Sequence, residues 1–157
     1  MIDFYSLVKA LHVIGATVLL GTGAGIAFFM VMAHRTRDAA LVAHTAGTVV
    51  IADMIFTATA VIAQPITGAI LAHALGFQLL GGWIGLSLCL YVMIGAFWLP
   101  VVWLQWRMRD LAREAQRLSR PLPPLYFQLY RVWFFCGFPA FAGVLAILWL
   151  MVAKPDF

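Results

Sequence analysis

Charged residues are scarce in this sequence: they make up 10% of the 157 residues, whereas hydrophobic residues make up 64%. Soluble domains carry about 25% charged residues, so the composition excludes an ordinary water-soluble protein. Cysteine is scarce as well, because the chain holds only Cys89 and Cys136, both in apolar segments where a thiol acts as a small packing side chain. The chain is therefore predicted to be an integral membrane protein without a disulfide.

Four long apolar windows dominate the chain. They lie at about residues 5–33, 42–72, 83–105 and 127–153. Each exceeds the roughly 20 residues that a membrane-spanning helix needs. Apolar residues continue at helical spacing after the third window, so this helix is predicted to run on to about residue 119, before the prolines that follow Arg120. The predicted fold is all-α: four transmembrane helices in one domain, residues 1–157.

Basic residues are absent from one connection and concentrated in the other two. No lysine or arginine occurs between residues 73 and 82. The other connections hold Arg35, Arg37, Arg107, Arg109, Arg113, Arg117 and Arg120. By the positive-inside rule these connections are cytoplasmic, which puts both termini on the outer, periplasmic face of a bacterial inner membrane. The net charge of +4 sits beside membrane segments, so no nucleic-acid partner is predicted.

Polar and small residues recur on one face of the second helix at positions i, i+4, i+7, i+11, i+14 and i+15. This stripe consists of Asp53, Thr57, Ala60, Gln64, Thr67 and Gly68. Pro65 lies beside it and donates no backbone hydrogen bond, so the carbonyl of Val61 is left free and a bend is expected there. The stripe predicts either a pocket beside Gln64 or hydrogen bonds to a neighbouring helix.

Ionisable side chains within a membrane span are costly, which makes them candidate functional residues. Counting ~1.5 Å per residue from each helix centre puts Asp53 and Arg131 in the inner half of the membrane, within reach of each other. The sequence therefore predicts an internal ion pair of Asp53 and Arg131 that fixes the second helix to the fourth. A proton-relay role for Asp53 is the alternative.

His12 is the ionisable residue with the most suggestive surroundings. Gly15 lies on nearly the same face and leaves room beside the imidazole, and Lys9 lies one turn closer to the outer face. A neutral imidazole nitrogen is the usual axial donor to haem iron, so His12 is predicted to ligate haem b, with Lys9 and Lys154 at its propionates. The alternative is a structural histidine that hydrogen-bonds a nearby carbonyl.

Three other residues are candidates for the same site. Gln64 and Ser87 fall at nearly the depth of His12, each roughly 10 Å outward of the membrane centre. His73, in the outer loop, is the best candidate for a second ligand to the metal.

Two further patterns resemble functional motifs but also fit ordinary helix packing. Gly21 and Gly25 form GxxxG, which predicts close helix packing rather than a dinucleotide site. Met30 and Met32 carry soft thioether ligands and His34 carries an imidazole, groups that can bind copper, so copper import is an outside alternative.

Two short motifs resemble the HemJ-type protoporphyrinogen IX oxidases, small four-helix bacterial membrane proteins. These motifs are Lys9-Ala10-Leu11-His12 in helix one, and Tyr130-Arg131, Pro139 and Lys154-Pro155 in helix four. The string VVIADMIFTATAVIAQPITG is similar to an uncharacterised family of bacterial integral membrane proteins in the same CopD-like superfamily. The resemblance to the oxidases implies haem b binding at His12.

The chain also departs from the oxidase pattern. The resemblance implies an active lysine in helix three soon after a tryptophan, but counting from Trp83 this position falls near Ser87. The leading prediction is therefore a protein that binds haem b and acts in electron transfer or haem handling. A divergent porphyrinogen oxidase and a non-catalytic membrane subunit are the alternatives. Expected partners are the lipid bilayer, a porphyrin or quinone, redox proteins and a second copy in a homodimer.

Overall fold

A computed structural model of the chain describes residues 3–156. Its helices are α1 (Phe4–Thr36), α2 (Ala39–Ala52), α3 (Ala58–Ala74), α4 (Gly82–Arg117) and α5 (Pro124–Ala153), with a π-helical turn at Asp53–Thr57. The turn joins α2 and α3 into one helix, Ala39–Ala74, which we call the second span.

Four helical segments are long and apolar enough to cross a membrane: α1, the second span, α4 and α5. No strand occurs within residues 3–156. The predicted all-α class with four membrane helices is therefore confirmed.

The four spans form a ring in chain order. α1 packs against the second span and α5, and α4 packs against α2 and α5. The second span and α5 therefore occupy diagonal corners. We call the end that holds the connections 37–38 and 118–123 the arginine end, and the end that holds both termini the opposite end. A cytoplasmic arginine end stays a prediction.

The hydrophobic core lies in the half of the bundle nearest the arginine end. Its buried residues include Ile26, Met30 and Ala33 of α1, Val42, Ala46 and Val49 of α2, Leu104, Met108, Ala112 and Ala115 of α4, and Tyr126, Tyr130 and Trp133 of α5. Buried hydrophobic residues of the other half, such as Val8, Ala72, Ile84 and Leu150, lie outside this cluster. The arginine half is therefore the packed half, and His12 lies in the other.

Local capping explains where α1 ends and α2 begins. Arg37 adopts a left-handed conformation with φ of 55°, which ends α1 at Thr36, three residues beyond the predicted window. The carboxylate of Asp38 then accepts hydrogen bonds from the backbone N–H groups of Ala40 and Leu41 at 2.7 and 3.0 Å. These bonds satisfy two of the N–H groups that the first turn of a helix leaves unpaired.

α4 extends well beyond the hydrocarbon thickness of a bilayer. It runs for 36 residues, which at ~1.5 Å each gives about 54 Å, against about 30 Å of hydrocarbon. Ser119 takes a left-handed φ of 50°, and the helix ends at Arg117, two residues earlier than predicted. Its arginine-rich end therefore reaches past the apolar layer.

Asp38→Ala removes both capping bonds of α2 and is expected to lower the free energy of unfolding by about 1 kcal/mol, the usual cost of a lost N-cap. Asp38→Asn keeps an acceptor oxygen and should lose only a small part of this. Thermal unfolding in detergent, followed by circular dichroism, measures both variants. Equal stability of Asp38→Ala and the wild type would contradict a stabilising cap.

Candidate functional site

His12 is half-buried in α1 and faces the polar stripe of the second span. Its Nδ1 lies 2.8 Å from the hydroxyl oxygen of Thr67. The Gln64 side chain reaches the same point of α1, because its Nε2 donates to the backbone carbonyl of His12 at 2.8 Å. Residues three apart share a helix face, so α3 brings both side chains to His12 together.

The hydrogen bonds of Thr67 are compatible with a proton on Nδ1 of His12. The Thr67 hydroxyl has one proton, and the backbone carbonyls of Ala63 at 2.8 Å and Gln64 at 3.2 Å are acceptors for it in its own helix. When the proton goes to one of these carbonyls, the Thr67 oxygen accepts from Nδ1 of His12, and the neutral ring keeps a lone pair on Nε2.

Two glycines allow α1 and α3 to approach at this point. A Cβ on Gly68 would lie 3.2 Å from Cε1 of His12, so the imidazole fits because this position has no side chain. The Gln64 amide fills the space that a Cβ on Gly15 would need. The room expected beside Gly15 is thus taken by Gln64, which corrects the prediction of an open space there.

The predicted propionate partners and Ser87 belong to the same half of the bundle as His12. Lys9 and Lys154 are exposed at the opposite end, on α1 and directly after α5. Ser87 is buried on α4, and its hydroxyl donates to the backbone carbonyl of Trp83 at 2.8 Å. The Ser87 hydroxyl proton is therefore used in a hydrogen bond within its own helix.

His73 is exposed in the last turn of α3. It follows Thr67 by six residues, which is about 240° around the helix. It therefore does not share the face of α3 that contacts His12.

The carbonyl that Pro65 leaves free has a partner on α4. The hydroxyl of Tyr91 donates to the carbonyl of Val61, the acceptor that the missing N–H of Pro65 predicts. An unpaired carbonyl in lipid costs several kcal/mol. Tyr91 therefore stabilises the second span at its proline and links it to α4.

A second polar site surrounds Asp53, which begins the π-helical turn and is 3% exposed. Turns of this kind occur frequently at functional sites. The indole Nε1 of Trp98 lies 3.4 Å from one carboxylate oxygen. The other oxygen and the hydroxyl of Thr57 are buried without a hydrogen-bond partner among residues 3–156. Two buried polar atoms of this site, one oxygen of Asp53 and the hydroxyl oxygen of Thr57, are therefore unpaired among residues 3–156.

The predicted ion pair of Asp53 and Arg131 is not formed. Arg131 is exposed on α5, and the salt bridge found within residues 3–156 joins Arg109 to Asp110 at 2.9 Å. The reason is the order of the spans, because α5 is diagonal to the second span. The depth of a residue in the membrane gives its position along the helix axis, but it does not say which neighbouring helix the residue contacts.

The GxxxG pattern and the methionine pattern are not placed in the structure as the sequence predicted. Within residues 3–156, a Cβ on Gly21 or Gly25 would meet no heavy atom within 4 Å, so GxxxG does not hold two of the described helices together. Met30 is in the core, whereas Met32 is 39% exposed. The potential copper ligands therefore point in different directions.

Sequence reasoning missed the aromatic cluster around His34. Its ring stacks on Tyr130, with centroids 3.5 Å apart and 3° between the planes, and its Nδ1 lies 3.3 Å from the hydroxyl of Tyr126. The sequence signal for this cluster was the four-residue spacing of the two tyrosines, which puts both on one helix face.

Within residues 3–156 no group of three or more histidine, cysteine or acidic residues is placed to hold a metal ion.

The family model described as predicted integral membrane protein DUF2269 matches residues 6–155. The chain belongs to this family. The match includes both polar sites, since His12 and Asp53 lie within it. No curated protein and no solved structure matches the chain.

Arg131→Gln is expected to change the free energy of unfolding by no more than about 0.5 kcal/mol, because Arg131 is exposed and Asp53 is not its partner. Asp53→Asn should have the same effect with and without Arg131→Gln, within about 0.5 kcal/mol, as expected for independent sites. Chemical unfolding in detergent of the two single variants and the double variant measures this.

The matched double-mutant cycle combines Asp53→Asn with Trp98→Phe, which removes the indole donor. The effects of these two substitutions on the free energy of unfolding should be clearly non-additive. Rescue of Asp53→Asn by Arg131→Gln would instead restore the ion pair as the explanation.

Proposed function

We propose that this membrane protein binds haem b through Nε2 of His12 and acts in electron transfer or haem handling. The observation that supports this most strongly is the contact between Nδ1 of His12 and the Thr67 hydroxyl at 2.8 Å. When Thr67 accepts the Nδ1 proton and donates its own proton to Ala63, the lone pair on Nε2 is available to a metal.

The donor set suits a haem better than a bare metal ion. The porphyrin itself supplies four nitrogen ligands, so a single imidazole is enough to hold the iron from one side. Histidines that bind metals usually donate their other ring N–H to an oxygen acceptor, which fixes the ring and raises its basicity. Thr67 gives His12 such an acceptor at 2.8 Å.

Each residue around His12 has a separate part in the proposal. Thr67 orients the ring, and Gln64 ties the backbone of His12 to α3 at 2.8 Å. Lys9 and Lys154 are exposed cations at the same end of the bundle and are assigned to the propionates. His12 is the axial donor that we assign to this chain, because His73 lies on another face of α3.

When bound, haem would supply one-electron redox chemistry, while the protein supplies ligation and burial. A divergent porphyrinogen oxidase receives less support, because the Ser87 hydroxyl is bonded within its own helix and no lysine is available at this depth. The proposal includes a bacterial inner membrane with the arginine end in the cytoplasm, which the distribution of arginine favours. It also includes a porphyrin or quinone and redox proteins as partners, and a homodimer.

Optical spectra of protein purified from haem-supplied cells test the proposal. We expect a Soret band and, after reduction with dithionite, an α-band, both lost in His12→Ala. Thr67→Val keeps the ligand but removes the acceptor for Nδ1–H, so we expect haem affinity to fall about 10- to 100-fold, the usual cost of losing such a partner.

The matched controls are His73→Ala, on another face of α3, and His44→Ala, on α2 in the half nearest the arginine end, and both should leave the spectrum unchanged. Colourless wild-type protein, or a His12→Ala variant with the wild-type spectrum, would contradict haem ligation by His12. In either case His12 would be a structural residue that joins α1 to α3.

A further inference from the structure

A groove with a cationic group lies beside α2 near the arginine end. Its volume is about 370 Å³, and its lining includes His44, Thr48, Arg113 and Gln116. We call it the polar groove. Its floor has little side-chain bulk, and a Cβ on Gly47 would lie 3.2 Å from a terminal nitrogen of Arg113. The glycine therefore lets the guanidinium lie directly against α2.

Arg113 is available to an anion from outside the chain. The salt bridge within residues 3–156 joins Arg109 to Asp110, and no carboxylate of residues 3–156 forms a salt bridge with Arg113. Side chains on a helix lean towards its N-terminus, so Arg113 leans from the extended end of α4 back towards the membrane. Its guanidinium thus combines a free charge with a position beside a transmembrane helix.

A second groove continues from the first on the other side of His44 and Thr48, which line both. Its volume is about 500 Å³, and its further lining includes Gly25, Phe29 and Phe56. We call it the apolar groove. From His44 to Phe56 is twelve residues, so this groove runs about 18 Å along the second span, from the arginine end towards the membrane interior.

We propose that these two grooves together bind one anionic phospholipid. Its phosphate lies at Arg113 in the polar groove, and one acyl chain lies in the apolar groove. Arginine binds phosphate through several N–H donors in a fixed plane, and the amide of Gln116 adds a further donor. The 18 Å path, polar at one end and apolar along its length, matches an amphiphile rather than a soluble anion.

The first test compares two lipids that differ in headgroup charge but have the same acyl chains, phosphatidylglycerol and phosphatidylcholine. Native mass spectrometry of the detergent-purified chain should show tighter binding of phosphatidylglycerol. Arg113→Gln should weaken that binding about tenfold, the equivalent of one charge-assisted hydrogen bond. Arg107→Gln removes the same charge from another face of α4 and should leave binding unchanged.

The second test fills the apolar groove without touching the charge. A Cβ on Gly25 meets no heavy atom within 4 Å, so Gly25→Leu should fold and occupy the place of the acyl chain, which weakens phosphatidylglycerol binding. A Cβ on Gly23 is equally free of contacts, but Gly23 does not line the groove, so Gly23→Leu is the control.

Equal binding of the two lipids, or equal effects of Arg113→Gln and Arg107→Gln, would overturn the proposal. Inorganic phosphate that competes fully for the site, with Gly25→Leu binding phosphatidylglycerol as the wild type does, would identify a simple anion site instead. Loss of phosphatidylglycerol preference in Arg113→Gln together with weaker binding in Gly25→Leu would establish the lipid site.

Discussion

The hydrocarbon interior of a membrane offers no hydrogen-bond partner, so each polar group within the spans must find one in the protein. Most of the contacts between helices described above follow from this constraint. Thr67 hydrogen-bonds within its own helix and contacts Nδ1 of His12, and the Tyr91 hydroxyl donates to the carbonyl of Val61. Asp53 differs, because one of its oxygens has only a long contact with Trp98 and the other has no hydrogen-bond partner among residues 3–156.

Much of the fold was predictable from the sequence because hydrophobicity and helix breakers act locally. Four spans and the free carbonyl of Val61 all follow from residues that are close together in the chain. The stripe on the second span predicted contacts near Gln64 and Thr67, since spacing fixes a helix face. The partner of Asp53 was not predictable, because the order of helices around a bundle depends on packing between distant segments. The π-helical turn also has no known sequence signal here.

The two halves of the bundle divide stability and chemistry between them. Large side chains such as Met108 and Tyr126 fill the arginine half and are fully buried there. The half that holds His12 has fewer buried hydrophobic residues, and its helices are joined by polar contacts. A redox group at His12 and a lipid at Arg113 would thus lie at different ends, so one could be removed without loss of the other.

The π-helical turn sets the rotation between the two halves of the second span. Such a turn is equivalent to one residue inserted into a regular α-helix, and each α-helical residue turns the chain by about 100°. A second span one residue shorter would face Gln64 and Thr67 away from α1 while α2 stayed in the core. The single extra residue at Asp53–Thr57 therefore acts as a phase adjustment that lets one continuous helix pack on two different sets of neighbours.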